Sequence, residues 1–315
     1  MGQNKFTAED LKQYQALPLD IKVRMTYSRI RWWLNEFDGY VSFSGGKDST
    51  VLLHIARQVD PDIPAVFVDT GLEYPEVREF ALSQENVIRL RPKMSFRKVI
   101  ETYGYPLISK EVSGKIYYAR RCPSGKCAGR FDPHSEHGKK YENRYSMTKW
   151  RWLKDSDIPI SDKCCDILKK NPAKKYEKES GRTPIIATMA CESCNRKTAW
   201  LKNGCNAYES KRPMSQPMSF WTEKDVLQYI KENNLSYASV YGEIKEDEKG
   251  EYYTTGVKRT GCVFCGFGAH LEKEPNRYQK LKQTQPQLWE YCMKDWDSGG
   301  LGMKDVLDFI NVKIQ

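Results

Sequence analysis

The chain reads as an α/β protein built on a doubly wound, mainly parallel sheet. Three observations lead to that class. Between residues 40 and 103, short β-branched or aromatic runs alternate with amphipathic helical patterns, the signature of right-handed βαβ crossovers. The first strand ends in a glycine pair, Gly45-Gly46, directly before a helix. The next ends in Asp69-Thr70-Gly71. Two turns of ligand-binding type therefore fall at carboxyl ends of strands, where open α/β sheets of Rossmann-like form take their ligands.

In chain order, residues 1–37 predict a helical, basic element with Ile30, Trp33, Leu34 and Phe37 on one face. This face suits packing, and its Arg and Trp content also suits nucleic-acid contact. A strand over 40–44 leads to a helix over 48–59, marked by Val51, Leu52, Ile55, Ala56 and Val59. A buried strand follows at 64–69, a helix near 75–84, a strand at 86–90 and a helix near 95–103. Residues 114–160 break the rhythm. Here Arg120, Arg121, Lys126, Arg130, Lys139, Lys140, Arg144, Lys149 and Arg151 interleave with Tyr117, Tyr118, Phe131, Tyr141, Tyr145, Trp150 and Trp152. That mixture suits phosphate contacts with base stacking, and equally a packed insertion with a solvated basic face. The sheet resumes at 183–188. A helix starts around Glu192, another covers 222–232, a charged hairpin turns at 245–250, and the tail after 275 is helical. The expected organisation is an N-terminal element (1–37), a nucleotide-binding domain (38–235) carrying the insertion 114–160, and a C-terminal part (236–315).

The 315 residues suffice for one large domain or two smaller ones. Hydrophobic residues make up 39% and mean hydropathy is −0.71, and no apolar run is long enough to span a membrane. The start, Met1 to Phe6, does not read as a signal peptide or a myristoylation site. Lys and Arg number 51 against 41 Asp and Glu, which favours polyanionic partners. Ten cysteines in such a chain suit a reducing compartment, expected to be the cytoplasm, where clustered thiols bind metal or act chemically.

Chemistry concentrates first in Ser44-Gly45-Gly46-Lys47-Asp48-Ser49. The glycines permit a sharp turn and a close backbone approach. Asp48 and Ser49 suit a helix N-cap. First-turn amides, helix dipole and Lys47 together make a seat for a polyphosphate. The spacing is neither that of a Walker A loop nor that of a dinucleotide Gly-x-Gly-x-x-Gly. The plain alternative is an ordinary glycine-rich strand–helix turn.

Cysteines form the second concentration. Cys164-Cys165 and Cys262-Val-Phe-Cys265 supply four thiols that suit an iron–sulfur cluster or structural zinc. Gly261, Gly266 and Gly268 would let amides point at sulfur. Cys191-Glu-Ser-Cys194 is a competing pair, as redox thiols or as ligands beside Cys262 and Cys265. Cys122, Cys127, His134 and His137 give a C-x4-C-x6-H-x2-H candidate for Zn²⁺, with tighter His spacing than fingers use. Cys205 and Cys292 read as packing.

The loop 44–49 resembles the pyrophosphate loop (PP-loop) of the adenine-nucleotide alpha hydrolase-like superfamily. Lys163-Cys-Cys-Asp-Ile-Leu-Lys-Lys-Asn-Pro172, Asp69-Thr70-Gly71 with Tyr74-Pro75-Glu76, Ser219-Phe-Trp-Thr-Glu-Lys-Asp-Val226 and Arg259-Thr-Gly-Cys-Val-Phe-Cys265 resemble, in order, segments of the phosphoadenosine phosphosulfate (PAPS) and adenosine phosphosulfate (APS) reductase family. The resemblance implies an adenine nucleotide held by Ser44, Gly45, Gly46, Lys47, Asp48, Ser49, Asp69, Thr70, Gly71, Glu192, Ser193 and Arg196. Lys47 and Asp48 are then the catalytic candidates, with Mg²⁺ near Asp48 or Asp69. It also implies a [4Fe–4S] cluster on Cys164, Cys165, Cys262 and Cys265. Three departures bear on the reaction. The loop is complete, as ATP rather than PAPS or APS would require. No C-terminal Glu-Cys-Gly nucleophile is present, since Cys292 lies in Tyr291-Cys-Met-Lys294. Met189 stands where the family's Ala187–Arg196 segment expects Arg. The expected function is therefore ATP cleavage to AMP and pyrophosphate for sulfur transfer. Sulfonucleotide reduction to sulfite and a non-catalytic nucleotide-binding subunit are the alternatives. Expected partners are the nucleotide, a thiol or sulfur donor protein and, through the insertion, tRNA or DNA.

Overall fold

A computed structural model describes residues 4–139 and 145–314, so Lys140, Tyr141 and Arg144 of the basic insertion lie outside the described residues. Among the described residues the strands in chain order are β1 (Gly39–Phe43), β2 (Ala65–Val68), β3 (Val87–Leu90), β4 (Leu107–Ile108), β5 (Thr183–Ile186), β6 (Asn206–Ala207), β7 (Met214–Ser215), β8 (Ile244–Glu246), β9 (Tyr252–Thr254) and β10 (Gly266–Phe267). The chain forms two compact units. Their boundaries differ from the three parts read in the sequence. Unit 1 takes 1–69, 73–91 and 172–260, and unit 2 takes 70–72, 92–171 and 261–315.

Unit 1 holds the sheet, ordered β3-β2-β1-β5-β7-β6. All its pairings are parallel except the edge pair β6–β7, which establishes the mainly parallel α/β class. Strand β1 pairs with β2 on one side and β5 on the other. The strand order therefore reverses at β1, and the Gly45-Gly46 turn leaves from its carboxyl end. The helix Lys47–Val59 buries Val51, Leu52, Leu53, Ile55 and Ala56 into the core with Val41, Phe43 and Phe67. The N-terminal helices Ala8–Gln15 and Leu19–Glu36 add Leu11, Ile30 and Trp33 to the same core.

The segment Ser219–Val226 acts as scaffold. Trp221 is fully buried and its Nε1 donates to Thr26 Oγ1 at 2.9 Å. Thr222 and Asp225 form a reciprocal capping box that starts the helix Glu223–Glu232. The Asp225 carboxylate also accepts from buried Lys22 Nζ at 2.7 and 2.8 Å.

Unit 2 is mostly helical, with helices at Phe96–Tyr103, Lys110–Arg121, Arg277–Thr284, Pro286–Met293 and Met303–Phe309. Strands β4 and β10 pair in parallel within it. Gly266 is required there, because a Cβ would lie 2.5 Å from the Pro106 carbonyl oxygen. The helix Lys110–Arg121 was not expected from the sequence. Ser109 caps it, accepting from the Val112 amide at 3.1 Å. No described helix is long and apolar enough to cross a membrane.

Replacing Asp225 with Ala removes the cap and strands the Lys22 ammonium in the core. Urea unfolding should show a loss of about 3–5 kcal/mol for Asp225→Ala, whereas Lys224→Ala, at an exposed ion pair with Glu251, should shift stability by under about 1 kcal/mol.

Candidate nucleotide and thiol sites

In unit 1 the turn 44–46 is shaped by its own hydroxyls. Ser44 N donates to Ser49 Oγ at 3.2 Å, Ser44 Oγ and Ser49 Oγ lie 3.0 Å apart, and Ser49 Oγ donates to the Gly46 carbonyl at 2.9 Å. Gly45 sits at φ +71°, and a Cβ there would meet the Val77 carbonyl oxygen at 2.7 Å. No other residue type fits that position without moving the helix Pro75–Ser83. Gly46 is the N-cap of the helix Lys47–Val59 and no side chain caps it. The first-turn amides of that helix have no intrahelical acceptors, so the turn presents donors and the positive dipole end together.

Lys47 is 5% exposed, with its Nζ donating to Glu223 Oε1 at 2.6 Å and to the Lys258 carbonyl at 3.0 Å. It also lies 5.5 Å from the Tyr241 ring centre. Asp48 is partly buried and its Oδ1 has no hydrogen-bond partner. Burial raises its pKa, against the opposing pull of Lys47. Tyr241 Oη and Thr260 Oγ1 are 2.7 Å apart and stand over Gly46, at 3.2 and 3.7 Å from a Cβ built there.

Glu192, Ser193 and Arg196 belong to the same unit. Ser193 caps the helix Cys194–Asn203, accepting from the Arg196 amide at 3.3 Å. The Glu192 carboxylate accepts from the Met189 amide at 3.0 Å, pairs with Arg196, and lies 3.7 Å from Arg259. Arg196 and Arg259 both act electrostatically on Asp48. Met189 itself is buried. Asp69 is sunk at the end of β2. Burial works to raise its pKa, but the guanidinium groups of Arg89 and Arg78 outweigh it and hold the carboxyl below its ordinary value. Asp69 is thus engaged by two cations inside unit 1.

Thr70 and Gly71 cluster with unit 2. Thr70 Oγ1 accepts from the Leu72 amide at 3.2 Å, and the Leu72 carbonyl accepts from the Val263 amide at 2.8 Å. The stretch is therefore tied to the middle of the Cys262–Cys265 turn, which is closed by Cys265 N donating to Cys262 O at 3.0 Å. All four expected ligand cysteines lie in this unit. The doublet sits on the short helix Lys163–Cys165, which runs straight into a π-helical turn, Asp166–Lys170. Such turns are rare and favour functional positions. Cys164 feels the charge of Cys165, Cys265 and Cys262. Its hydrogen bond to Cys165 and its burial raise its own pKa, and the same bond lowers that of Cys165 to about 6. Burial pushes the Cys265 thiol up to about 11, opposed by a bond from the Phe267 amide to its sulfur. An N–H aimed at a ligand sulfur is the tuning contact expected around a cluster.

No disulfide joins the ten cysteines. Among the described residues no three His, Cys, Asp or Glu side chains are grouped closely enough for a single metal ion. That holds for the thiol quartet and for Cys122, Cys127, His134 and His137. A zinc ion needs every ligand within about 2.3 Å of one point. Cys191 donates to the Trp221 carbonyl at 3.6 Å, its pKa raised by burial. Cys292 is fully buried, and burial raises its thiol pKa far above the ordinary value.

Sequence reasoning missed Glu223, Lys258, Tyr241 and Thr260 around the loop. The ion pair Lys47–Glu223 spans 176 positions, and only the helix-start pattern at Thr222 hinted that Glu223 would be fixed.

The model of the phosphoadenosine phosphosulfate reductase domain matches residues 39–111 and 130–266. An uncharacterized protein of Methanocaldococcus jannaschii is 27% identical over 259 residues, 79% of this chain and 39% of that protein. The chain thus spans well under half of that archaeal relative. An adenosine 5'-phosphosulfate reductase of Anoxybacillus flavithermus is 21% identical over 286 residues, covering 89% of this chain and 97% of that protein. A crystal structure of phosphoadenylyl-sulfate reductase from Candida auris, in a phosphate complex, matches at TM-score 0.39 and 16% identity over 79% of this chain and 100% of that one.

Glu223 neutralises Lys47 and so competes with any anion on the loop. Calorimetric titration with inorganic pyrophosphate should show Glu223→Gln binding several-fold more tightly than the unmodified protein. Lys47→Ala should bind about tenfold or more weakly, as loss of a charge-assisted bond implies.

Proposed function

Because the chain belongs to the phosphoadenosine phosphosulfate reductase family, we propose that it is an adenine-nucleotide enzyme of sulfur chemistry that splits ATP at the α-phosphate. The observation that carries this reading is the uncapped helix start at Gly46 with Lys47 beside it. An acceptor atom attacks the α-phosphorus, the bond from that phosphorus to the bridging oxygen breaks, and pyrophosphate departs with the electron pair. AMP remains on the acceptor, activating it for sulfur transfer. The amides of Lys47, Asp48 and Ser49, with the Lys47 ammonium released from Glu223, stabilise charge on the departing pyrophosphate.

Asp48 fits a magnesium site, because its Oδ1 is a buried oxygen without a partner and Mg²⁺ is held by one or two carboxylates together with phosphates. When bound, the ion neutralises phosphate charge. Asp48 then stays ionised despite its burial. Cys164, Cys165, Cys262 and Cys265 are the thiols that would hold a [4Fe–4S] cluster, which supplies an anchor or carrier for sulfur. The Phe267 amide, which bonds the Cys265 sulfur, would help to hold that thiolate toward it.

Sulfonucleotide reduction is the second reading, favoured by the reductase names of several relatives. Against it stand Met189 at the position of an anion-gripping Arg, and Cys292, whose buried thiol cannot reach a substrate.

Protein purified without oxygen is expected to contain iron and acid-labile sulfide in equal amounts, and to convert ATP to AMP and pyrophosphate. Incubation with PAPS or APS should release no sulfite. Sulfite without pyrophosphate would replace the first reading by the second. Lys47→Ala should slow pyrophosphate release about 10²–10³-fold while keeping its iron, and Cys262→Ser should lose the iron.

A further inference from the structure

Unit 2 carries a second set of features that nucleotide cleavage does not use. Residues 92–171 contain 18 Lys and Arg against nine Asp and Glu, nearly all of the chain's +10 excess. A charge so concentrated in one part of a protein points to a polyanion. Aromatic rings accompany it at the surface. Tyr118 is 48% exposed, with Lys163 Nζ 4.8 Å from its ring centre. Tyr145 is 52% exposed, with the Arg130 guanidinium at 5.6 Å. Trp150 has Lys149 Nζ at 5.2 Å and stands 6.4 Å from Trp152, which in turn lies 5.3 Å from Phe309. Trp152 and Phe309 are 44% and 41% exposed.

We infer that unit 2 binds single-stranded nucleic acid through these ring and cation pairs, with Trp152, Phe309, Tyr118 and Tyr145 stacking on unpaired bases. Each base offers a π-face whatever its sequence, and neighbouring cations follow the phosphates. A protein partner would use the exposed rings equally well but would leave the charge excess unexplained. A duplex would meet the charge but conceal its bases from the rings. Not every cation of the insertion takes part. Arg120 donates to the carbonyls of Leu153, Lys154, Ser156 and Ile158, so it serves the fold.

Fluorescence anisotropy without ATP tests the inference separately from nucleotide cleavage. The probes are single DNA and RNA strands of about 16 nucleotides, a DNA duplex of the same sequence, and heparin. At least one strand is expected to bind tenfold or more tightly than duplex and heparin. Trp152→Ala and Tyr118→Ala should each weaken strand binding about tenfold at unchanged salt dependence, and Trp152→Phe should restore it. Lys149→Ala should reduce the slope of log affinity against log salt by about 0.7. Circular dichroism checks that the variants fold, and Tyr118, being half exposed, is the variant least able to disturb packing. The inference fails if neither strand binds, if duplex or heparin binds as tightly as the strands, or if folded Trp152→Ala and Tyr118→Ala bind like the unmodified protein.

Discussion

The site in unit 1 depends on one steric constraint, the contact of Gly45 with the helix Pro75–Ser83. With the Val77 carbonyl oxygen 2.7 Å from where a Cβ would be, the chain turns through a glycine at φ +71°, and the helix that follows starts at Gly46 without a side-chain cap. The amides left over are open donors. A Ser or Asp cap in place of Gly46 would add a few tenths of a kcal/mol to the helix and occupy one of those donors. The fold forgoes that stabilisation at this one helix, while Thr7, Ser95, Ser109, Ser193 and Thr222 cap others normally. Lys47 shows the same economy. Its buried ammonium needs a counter-charge when no ligand is present, and Glu223 supplies one from a helix start that is itself rigidly capped.

Segments that resemble the family divide between those that leave polar groups open and those that serve as scaffold. The loop 44–49 keeps open donors, and the doublet with the Cys-x-x-Cys turn keeps sulfurs in one neighbourhood. Ser219–Val226, by contrast, spends Trp221, Thr222 and Asp225 on core packing, capping and the Lys22 pair. Asp69 lies between these cases, at a strand end suited to ligands yet held by Arg78 and Arg89. Shared sequence therefore marks positions that must be occupied in a given way, and only local geometry tells which of them face a ligand.

Most of the sheet was legible because its strands carry period-two or continuous apolar runs bounded by Gly, Pro or Asp. The strands expected at 40–44, 64–69 and 86–90 form at Gly39–Phe43, Ala65–Val68 and Val87–Leu90. What escaped has identifiable causes. Strands β4, β6, β7 and β10 have two residues each, too few for any periodicity. The helix Lys110–Arg121 hides Val112, Ile116 and Ala119 among cations and includes Gly114, which fits against the Asp162 carboxylate. The helix Asn171–Ser180 follows the π-helical turn Asp166–Lys170 without a break and carries Pro172 inside the helical run, where proline is expected to interrupt a helix. Within the site, the loop was visible as local sequence. Glu223, Lys258, Tyr241 and Thr260 were not, since nothing local encodes which distant residues close over a turn.

Arg120 illustrates how one side chain can substitute for secondary structure. Residues 155–159 contain neither helix nor strand, yet four carbonyls of the 153–158 stretch converge on a single guanidinium. A planar fork with five donors can serve all of them at once, and an ammonium with three cannot. That stretch thus has four of its carbonyls satisfied by one side chain distant in sequence, alongside the local bond from Ser156 Oγ to the Leu153 carbonyl.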